Sequence, residues 1–331
     1  MALNSPAQPK EIGVLLLPSF SHLALGAVVE PLFIANWLTG RTLYRWRTIS
    51  LDGKPVRTSS ELSVPADIGI DETAEFDALY VLASFDVKRL TRDRKLKAWL
   101  RRVARHGATI AAIETASEVV AAAGLLDGRK VAVHWDNLQG FAESHPQCRA
   151  VAELYTASPG RLTCAGHSAI LDMMLHGIAA DHGPNLAGEI AAHLMLPTWR
   201  KSEDSQPAPW VKARKTTDPA LERALALMEK SIEEPIPCSR IARRVGVTPR
   251  QLQRLFAREL ETTPVRHYQR LRLARAHALL QQTDLSVTEI AVSAGFNSLE
   301  HFCRLYRRQF NCRPRDDRRQ SVAAPVLRRR A

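Results

Sequence analysis

An internal repeat constrains the last third of the chain more than any other feature. Residues 241–256 read IARRVGVTPRQLQRLF, and residues 290–306, about fifty positions later, read IAVSAGFNSLEHFCRLY. The match continues to Pro264 and Pro314, with one residue inserted near the second turn. A repeat of this kind predicts two copies of one supersecondary unit.

Each copy of the repeat predicts a helix, a tight turn and a second helix. Gly246 and Gly295 lie where the chain must take a left-handed turn, which glycine adopts without strain. Residues 248–251 (TPRQ) predict a capping box with proline at the first helical position. Residues 297–300 (NSLE) offer the same kind of helix start in the second copy.

The second helix of each copy is amphipathic, with Leu252 and Phe256 on the apolar face of one and Phe302 and Tyr306 on that of the other. The opposite faces and helix starts carry the predicted DNA contacts, which are Thr248, Arg250, Gln251, Arg254, Arg258, Ser298, Glu300, His301, Arg304, Arg307 and Arg308. Such a face suits a major groove, where Arg reads guanine and Gln reads adenine. The alternative is a solvated basic face on an ordinary helical bundle, which two copies with matched caps disfavour.

The charge of the chain is concentrated in the same region. Residues 212–331 contain 25 Lys and Arg against 12 Asp and Glu, a net charge of +13, whereas residues 1–211 carry a net charge of −1. This asymmetry predicts an anionic partner for the last third alone. Charge by itself leaves DNA, RNA and an anionic membrane open.

Residues 219–318 resemble the AraC/XylS family of transcription regulators. The most specific stretches are RLRLARA (270–276), IAVSAGF (290–296) and HFCRLYRRQF (301–310). The resemblance implies that both recognition helices enter successive major grooves of double-stranded DNA, roughly 34 Å apart. One departure is NCRP (311–314), where the family has a glycine after the phenylalanine; it affects the end of the helix and not the face that reads DNA.

The first two hundred residues predict an α/β fold with a parallel sheet. Apolar runs at 12–17, 46–51, 78–82 and 108–113 are typical of buried strands. Helical patterns alternate with them at about 23–38, 93–104, 117–123, 169–181 and 186–196. Trp37 falls at helical spacing from Phe33, which favours a place in the core.

The predicted domains are a sensor at 9–197, a linker at 198–218, a DNA-binding domain at 219–318 and a basic tail at 319–331. The linker is polar and rich in proline. Five cysteines without a CxxC pair indicate free thiols in a reducing cytoplasm. The run at 14–17 is too short for a membrane span and is no signal peptide.

The first two-thirds resemble the glutamine-amidotransferase-like, or PfpI-like, superfamily in the version fused to AraC domains (GlxA type). The stretches that carry this resemblance are VEPLFIAN (29–36), AGLLDG (123–128), HW (134–135) and TCAGHSAILD (163–172). It implies a flavodoxin-like fold. Within the fused family, the first stretch and Glu114-Thr115 look most like regulators of glycine betaine, carnitine or arginine catabolism.

The enzymes of this superfamily place a cysteine nucleophile on a sharp turn after a buried strand. Here Glu114 stands at that position, and Ala83-Ser84-Phe85 replaces the glycine pair of the oxyanion loop. A carboxylate cannot perform thiol chemistry. We therefore expect no catalytic residue, no cofactor and no metal site. The alternative is an amidase or hydratase that acquired a DNA-binding domain.

The pocket without its nucleophile is predicted to bind a small effector. The resemblance implies that its residues are Glu30, Ser84, Phe85, Glu114, Thr115, His134, Trp135 and His167. Two carboxylates near aromatic rings suit a small amine or a quaternary ammonium compound. A structural role is an equal alternative for His134, and His167 could merely cap the following helix.

These features predict a metabolite-controlled transcription regulator, with activation favoured over repression. By family resemblance we expect a homodimer formed by the sensor domain, and RNA polymerase remains a candidate partner. A third interpretation is a ligand-free DNA-binding protein whose first domain only dimerises.

Overall fold

The computed structural model describes residues 8–72, 74–85, 87–204, 206, 218–283 and 285–317, and only the backbone of residues 281 and 282. The described chain forms two compact units, one ending at Gln206 and one from residue 218 onward. The first unit thus extends beyond residue 197, into the segment predicted as linker. Most of that linker (205 and 207–217) and the predicted basic tail (319–331) lie outside the described residues.

The first unit is an α/β domain. Its strands are β1 Lys10–Leu16, β2 Tyr44–Ser50, β3 Val56–Arg57, β4 Ser63–Val64, β5 Ile68–Gly69, β6 Ala78–Ala83, β7 Thr109–Glu114, β8 Lys130–Ala132, β9 Arg149–Val151, β10 Tyr155–Ser158 and β11 Arg161–Cys164. Its helices are α1 His22–Thr39, α2 Lys88–Thr91, α3 Arg94–Arg105, α4 Ala116–Ala122, α5 Leu138–Ser144, α6 Ala169–His182 and α7 Pro184–His193.

Seven strands form one sheet in the order β10-β11-β7-β6-β1-β2-β5. All neighbours are parallel except β10 and β11, which form an antiparallel pair at one edge. The predicted α/β class with a flavodoxin-like parallel sheet is therefore confirmed, and the antiparallel edge strand is an addition to it.

Helices cover both faces of this sheet. Val14 and Leu16 of β1 are buried in one core with α1, α6 and α7, whereas Leu15 and Leu17 are buried in the other core with α3 and α4. Because both faces of the sheet are covered, successive residues of a central strand are all apolar, whichever face they point to. This explains why these strands appear in the sequence as continuous apolar runs.

Helix α1 has one exposed apolar face. Leu23, Phe33 and Trp37 are 57%, 51% and 58% exposed, so the prediction that Trp37 lies in the core was wrong. Among the described residues, α1 is the one helix that could cross a membrane by length and composition. Its opposite face packs in the core beside α6 and α7, as expected for a helix of a globular domain.

The second unit is all-helical, as predicted. Its helices are α8 Pro219–Lys230, α9 Cys238–Arg244, α10 Pro249–Leu260, α11 Pro264–Gln282, α12 Val287–Ser293 and α13 Leu299–Phe310. The two copies of the repeat have separate apolar cores, one around Leu252 and Phe256 and one around Phe302 and Tyr306. Helix α11 contributes Leu271 to the first core and Leu273 to the second.

The structural repeat is longer than the sequence indicated. Arg223 of α8 donates a hydrogen bond to the backbone oxygen of Val245, at 3.3 Å. Arg272 of α11, 49 positions later, donates to the backbone oxygens of Ala294 at 2.9 Å and Gly295 at 2.6 Å. Each copy is therefore a three-helix unit in which an arginine binds the end of the middle helix. Helix α11 is the first helix of the second copy as well as the connection between the two.

Candidate functional site

The two recognition helices, α10 and α13, begin with side-chain caps. Thr248 Oγ1 accepts the N–H of Gln251 at 3.2 Å, and Gln251 Oε1 accepts the N–H of Thr248 at 2.8 Å, which is the predicted capping box. Ser298 Oγ accepts the N–H of His301 at 3.3 Å. The second cap has no reciprocal bond because His301 stands where Gln251 stands in the first copy.

The departure at Asn311 leaves the recognition face intact. Asn311 takes the left-handed conformation at the end of α13 (φ 58°), and Glu261 does the same at the end of α10 (φ 50°). Asparagine is among the residues that tolerate this conformation best after glycine. It therefore replaces the family's glycine without moving the face that carries the arginines.

Every predicted DNA-contact residue is exposed. This holds for Thr248, Arg250, Gln251, Arg254 and Arg258 in the first copy, and for Ser298, Glu300, His301, Arg304, Arg307 and Arg308 in the second. The buried residues Leu252, Phe256, Phe302 and Tyr306 lie on the opposite faces. Each helix can thus present these side chains to a DNA groove while its apolar face stays packed in the core.

The structure distinguishes among these exposed side chains. Arg258 donates to Glu259 at 2.6 Å and lies 3.7 Å from Asp218, so its charge is largely compensated. Gln251 Oε1 is occupied by the cap of its own helix. Arg254 and Arg304, in contrast, form no ion pair with any described residue. The same holds for Arg250, Arg307 and Arg308, so all five of these arginines, unlike Arg258, present uncompensated charge to DNA.

In the first unit, Glu114 occupies a strained turn at the carboxyl end of β7. Its φ is 57°, a left-handed conformation that costs about 1 kcal/mol or more for a residue other than glycine. The residue is only 8% exposed and is paired in register with Ala83 at the end of β6. This is the sharp strand-to-helix turn predicted from the resemblance, with a carboxylate in place of the thiol.

Two segments converge on the Glu114 carboxylate. Ser84 Oγ donates a hydrogen bond to Glu114 Oε2. The backbone N–H of His167 donates to Oε1 at 3.4 Å, and His167 Nδ1 lies 3.6 Å from the same oxygen. Gly166 makes this packing possible, since a Cβ there would lie 2.1 Å from Glu114 Cγ.

His134 and Trp135 follow β8 and form an aromatic wall beside this cluster. The His134 ring centroid lies 5.8 Å from that of His167 and 5.0 Å from that of Trp135. Burial lowers the pKa of His134, and His167 acts in the same direction against the opposing effect of Asp136. His134 is therefore neutral at pH 7, which leaves the surroundings of Glu114 without an added positive charge from this ring.

The other predicted site residues are placed less centrally. Thr115 lies at the start of α4 beside Glu114, and its Oγ1 is buried without a hydrogen-bond partner among the described residues. Phe85 is 60% exposed. Glu30 is exposed on α1 and forms no hydrogen bond or ion pair with any described residue. The structure brings together Ser84, Glu114, His134, Trp135 and His167, and does not join Glu30 to them by any bond.

Two residues that support the site were missed by sequence reasoning. Gly166 was included only as part of the stretch TCAGHSAILD (163–172), although its missing side chain is what admits Glu114. Gln206 was assigned to the linker, yet its Oε1 accepts the N–H of Trp135 at 2.8 Å. The role of Gln206 could not be predicted from the sequence, because a glutamine in a stretch rich in Ser, Pro and charged residues is typical of a linker.

A cysteine lies close to this site. Cys164 lies at the end of β11, fully buried, and its Sγ accepts the N–H of Gly166 at 3.4 Å. Burial raises its pKa to about 12, so it remains a thiol at neutral pH. Among the described residues, no three His, Cys, Asp or Glu side chains come together in a way that could hold a metal ion.

A flavodoxin-like domain with a modified strand-to-helix turn, joined to two helix-turn-helix units, defines a two-domain DNA-binding regulator. The DJ-1/PfpI family matches residues 29–176, and a helix-turn-helix domain matches residues 241–320. The chain belongs to the AraC-type transcriptional regulators that carry an N-terminal DJ-1/PfpI domain.

Full-length relatives agree with this assignment. The transcriptional regulator GbdR of Pseudomonas aeruginosa is 40% identical over 96% of this chain and 87% of its own length. CdhR of the same species is 40% identical over 92% and 90%, and GlxA of Rhizobium meliloti is 33% identical over 97% and 99%. All three are HTH-type transcriptional regulators.

Solved structures support the fold of the first unit. A ThiJ/PfpI family protein from Pseudomonas syringae matches with a TM-score of 0.51 and 19% identity, over 68% of this chain and 87% of that one. Drosophila melanogaster DJ-1beta matches with a TM-score of 0.50 and 17% identity, over 58% and 100%. At these identities the likeness concerns the fold alone.

Proposed function

We propose that the first unit binds a small cationic metabolite at Glu114, and that this binding changes the affinity of the second unit for its promoter. The observation that supports it most is the nearly buried carboxylate of Glu114 at a strained turn beside the rings of His134, Trp135 and His167. Carboxylate and ring together suit an ammonium group, since a cation over an aromatic face gains about 0.5–2 kcal/mol.

The chemistry of the cluster favours a sensor over an enzyme. A glutamate holds the position of the nucleophile, and Cys164, the thiol close by, is protonated at neutral pH because burial raises its pKa to about 12. A domain that keeps the turn but lacks a thiolate retains the capacity to bind and loses the covalent chemistry. We therefore propose that the chain is not an enzyme. We propose instead that it activates transcription and acts in the cytoplasm.

The names of the relatives fit this proposal, since GbdR, CdhR and GlxA are transcriptional regulators. The proposed class of effector, an amine or a quaternary ammonium compound, depends on the Glu114 cluster. In the second unit, α10 and α13 are proposed to enter successive major grooves through Arg254 and Arg304.

The exposed face of α1 supports the proposal of a homodimer. Leu23, Phe33 and Trp37 recur at intervals of ten and four residues and so lie along one side of the helix. Glu30 lies on the same side, which explains its exposure. Large apolar side chains exposed along one side of a helix are typical of protein–protein interfaces. We propose that a second copy of the chain covers this stripe.

The test is DNA binding with and without candidate effectors, at fixed salt. Fluorescence anisotropy would follow DNA from the gene's own upstream region and neighbouring intergenic regions, with glycine betaine, carnitine, dimethylglycine or arginine added. We expect specific binding that one compound changes, and Glu114→Gln should abolish that change while DNA affinity stays intact. Specific binding that no compound alters, together with silent calorimetry, would overturn the proposed effector. Turnover of an amide or nitrile by the purified chain would favour the enzyme instead.

A further inference from the structure

Gln206 joins the loop after β8 to the segment that leaves the first unit. Its Nε2 donates to the backbone oxygens of Val133 and Glu153, both at 2.7 Å, and its Oε1 accepts the N–H of Trp135 at 2.8 Å. One amide thus satisfies three backbone groups, which requires a side chain that both donates and accepts. Two of these groups lie on either side of His134.

The same segment is fastened at two earlier points. Arg200 binds the nearly buried Asp172 of α6 through its backbone N–H at 2.6 Å and its guanidinium at 2.6 and 3.0 Å. The N–H of Leu154 donates to the backbone oxygen of Ser202 at 3.1 Å. Gln206 differs from both, because it contacts the loop of the candidate ligand site and is the last described residue before the second unit begins at 218.

We propose that Gln206 is a positioning residue through which a ligand at Glu114 changes DNA binding by the second unit; this rests on the proposed function. A ligand that packs against His134 and Trp135 shifts the backbone of residues 133–135. Such a shift lengthens and bends the hydrogen bonds to Gln206, which are 2.7–2.8 Å long, and their strength falls steeply with distance and angle. Ligand binding then decides whether the chain is held at Gln206 or only at Ser202.

This choice changes how far the second unit can reach. Held at Gln206, the chain as far as residue 218 can span at most about 43 Å, at roughly 3.6 Å per residue. Held only at Ser202, it can span at most about 58 Å by the same measure. The difference of about 15 Å is nearly half of the roughly 34 Å between successive major grooves. It is large enough to alter which sites two linked DNA-binding units can occupy together.

The first test compares Gln206→Ala with Gln147→Ala in the full chain. Gln147 is exposed, and its side chain forms no hydrogen bond with any described residue, which makes it a matched control. Anisotropy would give DNA affinity with and without each of the four compounds named above, and calorimetry would give their binding. We expect Gln206→Ala to bind the active compound more tightly than wild type, because binding no longer has to break these hydrogen bonds, while the effect of the compound on DNA affinity, typically 5–150-fold, falls to near one.

The second test needs no effector. Hydrogen exchange of the ligand-free chain should become faster at the Trp135 amide and across residues 197–204 in Gln206→Ala, and should stay unchanged in Gln147→Ala. Gln206→Glu serves as a second variant if the alanine variant is poorly folded. It keeps the acceptor for Trp135 and loses both donors, so exchange should still become faster across residues 197–204 and the response to the compound should still be lost, whereas the Trp135 amide should stay protected.

The outcomes separate this inference from the proposed function. An unchanged response to the compound in a folded Gln206 variant, or unchanged hydrogen exchange, would overturn the role of Gln206 and leave the effector site standing. If exchange accelerates but no compound alters DNA binding by the wild-type chain, the proposed effector is wrong. Gln206 then fastens the segment without relaying a signal, which also overturns the inference.

Discussion

At the scale of single residues, the Glu114 site depends on one side chain that is present and one that is absent. Glu114 keeps a left-handed conformation because both of its carboxylate oxygens accept hydrogen bonds, from Ser84 and from the backbone of His167. Gly166 supplies the space for this arrangement. A glutamate at the former nucleophile position is therefore supported by its neighbours, as a residue with a binding role would be.

Gly166→Ala should damage the site, whereas Gly177→Ala on α6 should not. A Cβ at residue 166 would meet Glu114 Cγ at 2.1 Å with φ at +104°, so we expect a loss of about 2–4 kcal/mol of unfolding free energy from overpacking and strain. Gly177 lies inside a helix with open space around it, and alanine there should gain about 0.5–1 kcal/mol. Urea unfolding of both variants would check this; equal stability would show that the turn can yield.

Arg254→Ala should weaken DNA binding more than Arg258→Ala. Arg254 has no ion-pair partner among the described residues. If it reads a base, its removal should cost roughly 1–3 kcal/mol of DNA-binding free energy and relax the sequence preference. Arg258 is already compensated by Glu259 and Asp218. Anisotropy against operator and scrambled DNA distinguishes the two roles. An equal loss on both DNAs would mean that Arg254 contacts phosphate, and Arg304→Ala repeats the test in the second copy.

At the scale of elements, the two turns of the repeat are alike in backbone and unlike in surroundings. Gly246 and Gly295 have φ of 81° and 75°, as the sequence predicted. A Cβ at Gly246 would meet nothing within 4 Å, whereas one at Gly295 would lie 2.3 Å from the backbone oxygen of Ile232. The second turn therefore packs against the loop that follows α8. This packing brings the second copy into contact with the first.

This difference predicts unequal costs for the same substitution. Gly246→Ala should lose about 1 kcal/mol from the left-handed conformation alone. Gly295→Ala should lose that amount plus about 1–3 kcal/mol, because backbone atoms of Ile232 and the ring of Pro235 must move. Chemical unfolding of both full-length variants measures the two values. Equal losses would mean that the Ile232 loop shifts freely.

His267, half-buried beside the ring of Phe256, predicts a loss of stability in acid. Burial lowers its pKa, and Arg270 adds to the shift, so the folded pKa lies below the unfolded value of about 6.5. As pH falls below about 6.5, the unfolded chain binds more protons and the unfolding free energy decreases. His267→Phe should reduce the difference in stability between pH 7.5 and 5.5. The same difference in wild type and variant would contradict this prediction.

The sequence predicted the elements that carry strong periodicity. Strands β1, β2, β6 and β7 and helices α1, α3 and α6 were placed within about two residues, and for α10 and α13 only the start was predicted, within about one residue. The short strands β3, β4, β5, β8 and β9 were not predicted, because two or three residues show no alternation and are defined by their partners. Strands β10 and β11 were missed for the same reason, with four residues each.

The site was predictable only where family stretches marked it. Glu114, His134 and His167 were predicted and do lie close together. The contacts of Asp172 with Arg200 and of Trp135 with Gln206 join residues 28 and 71 positions apart. No local pattern encodes such pairs, since they arise when the sheet brings distant loops to one edge.

At the scale of the whole molecule, charge separates the two units. The excess of +13 in residues 212–331 attracts DNA from a distance, while the nearly neutral first part leaves ligand choice to local groups such as Glu114. Exposed arginines on two helices also predict that DNA affinity falls steeply with salt. The affinity for an operator also depends on how many copies of the chain bind together.

Phe33→Glu should weaken the proposed dimer, and Leu62→Glu should not. Both residues are large and about half exposed, but Phe33 lies in the stripe of α1 and Leu62 lies beside β4. A glutamate at residue 33 would stand one helical turn from Glu30 and place a second carboxylate in the interface. Sedimentation should show a dimer for wild type and Leu62→Glu and a monomer for Phe33→Glu. Because two linked units gain about 10²–10⁴ in avidity on paired sites, the monomer should lose a comparable factor in operator affinity and little on a single half-site. A wild-type monomer, or a Phe33→Glu dimer with unchanged affinity, would remove α1 from the interface.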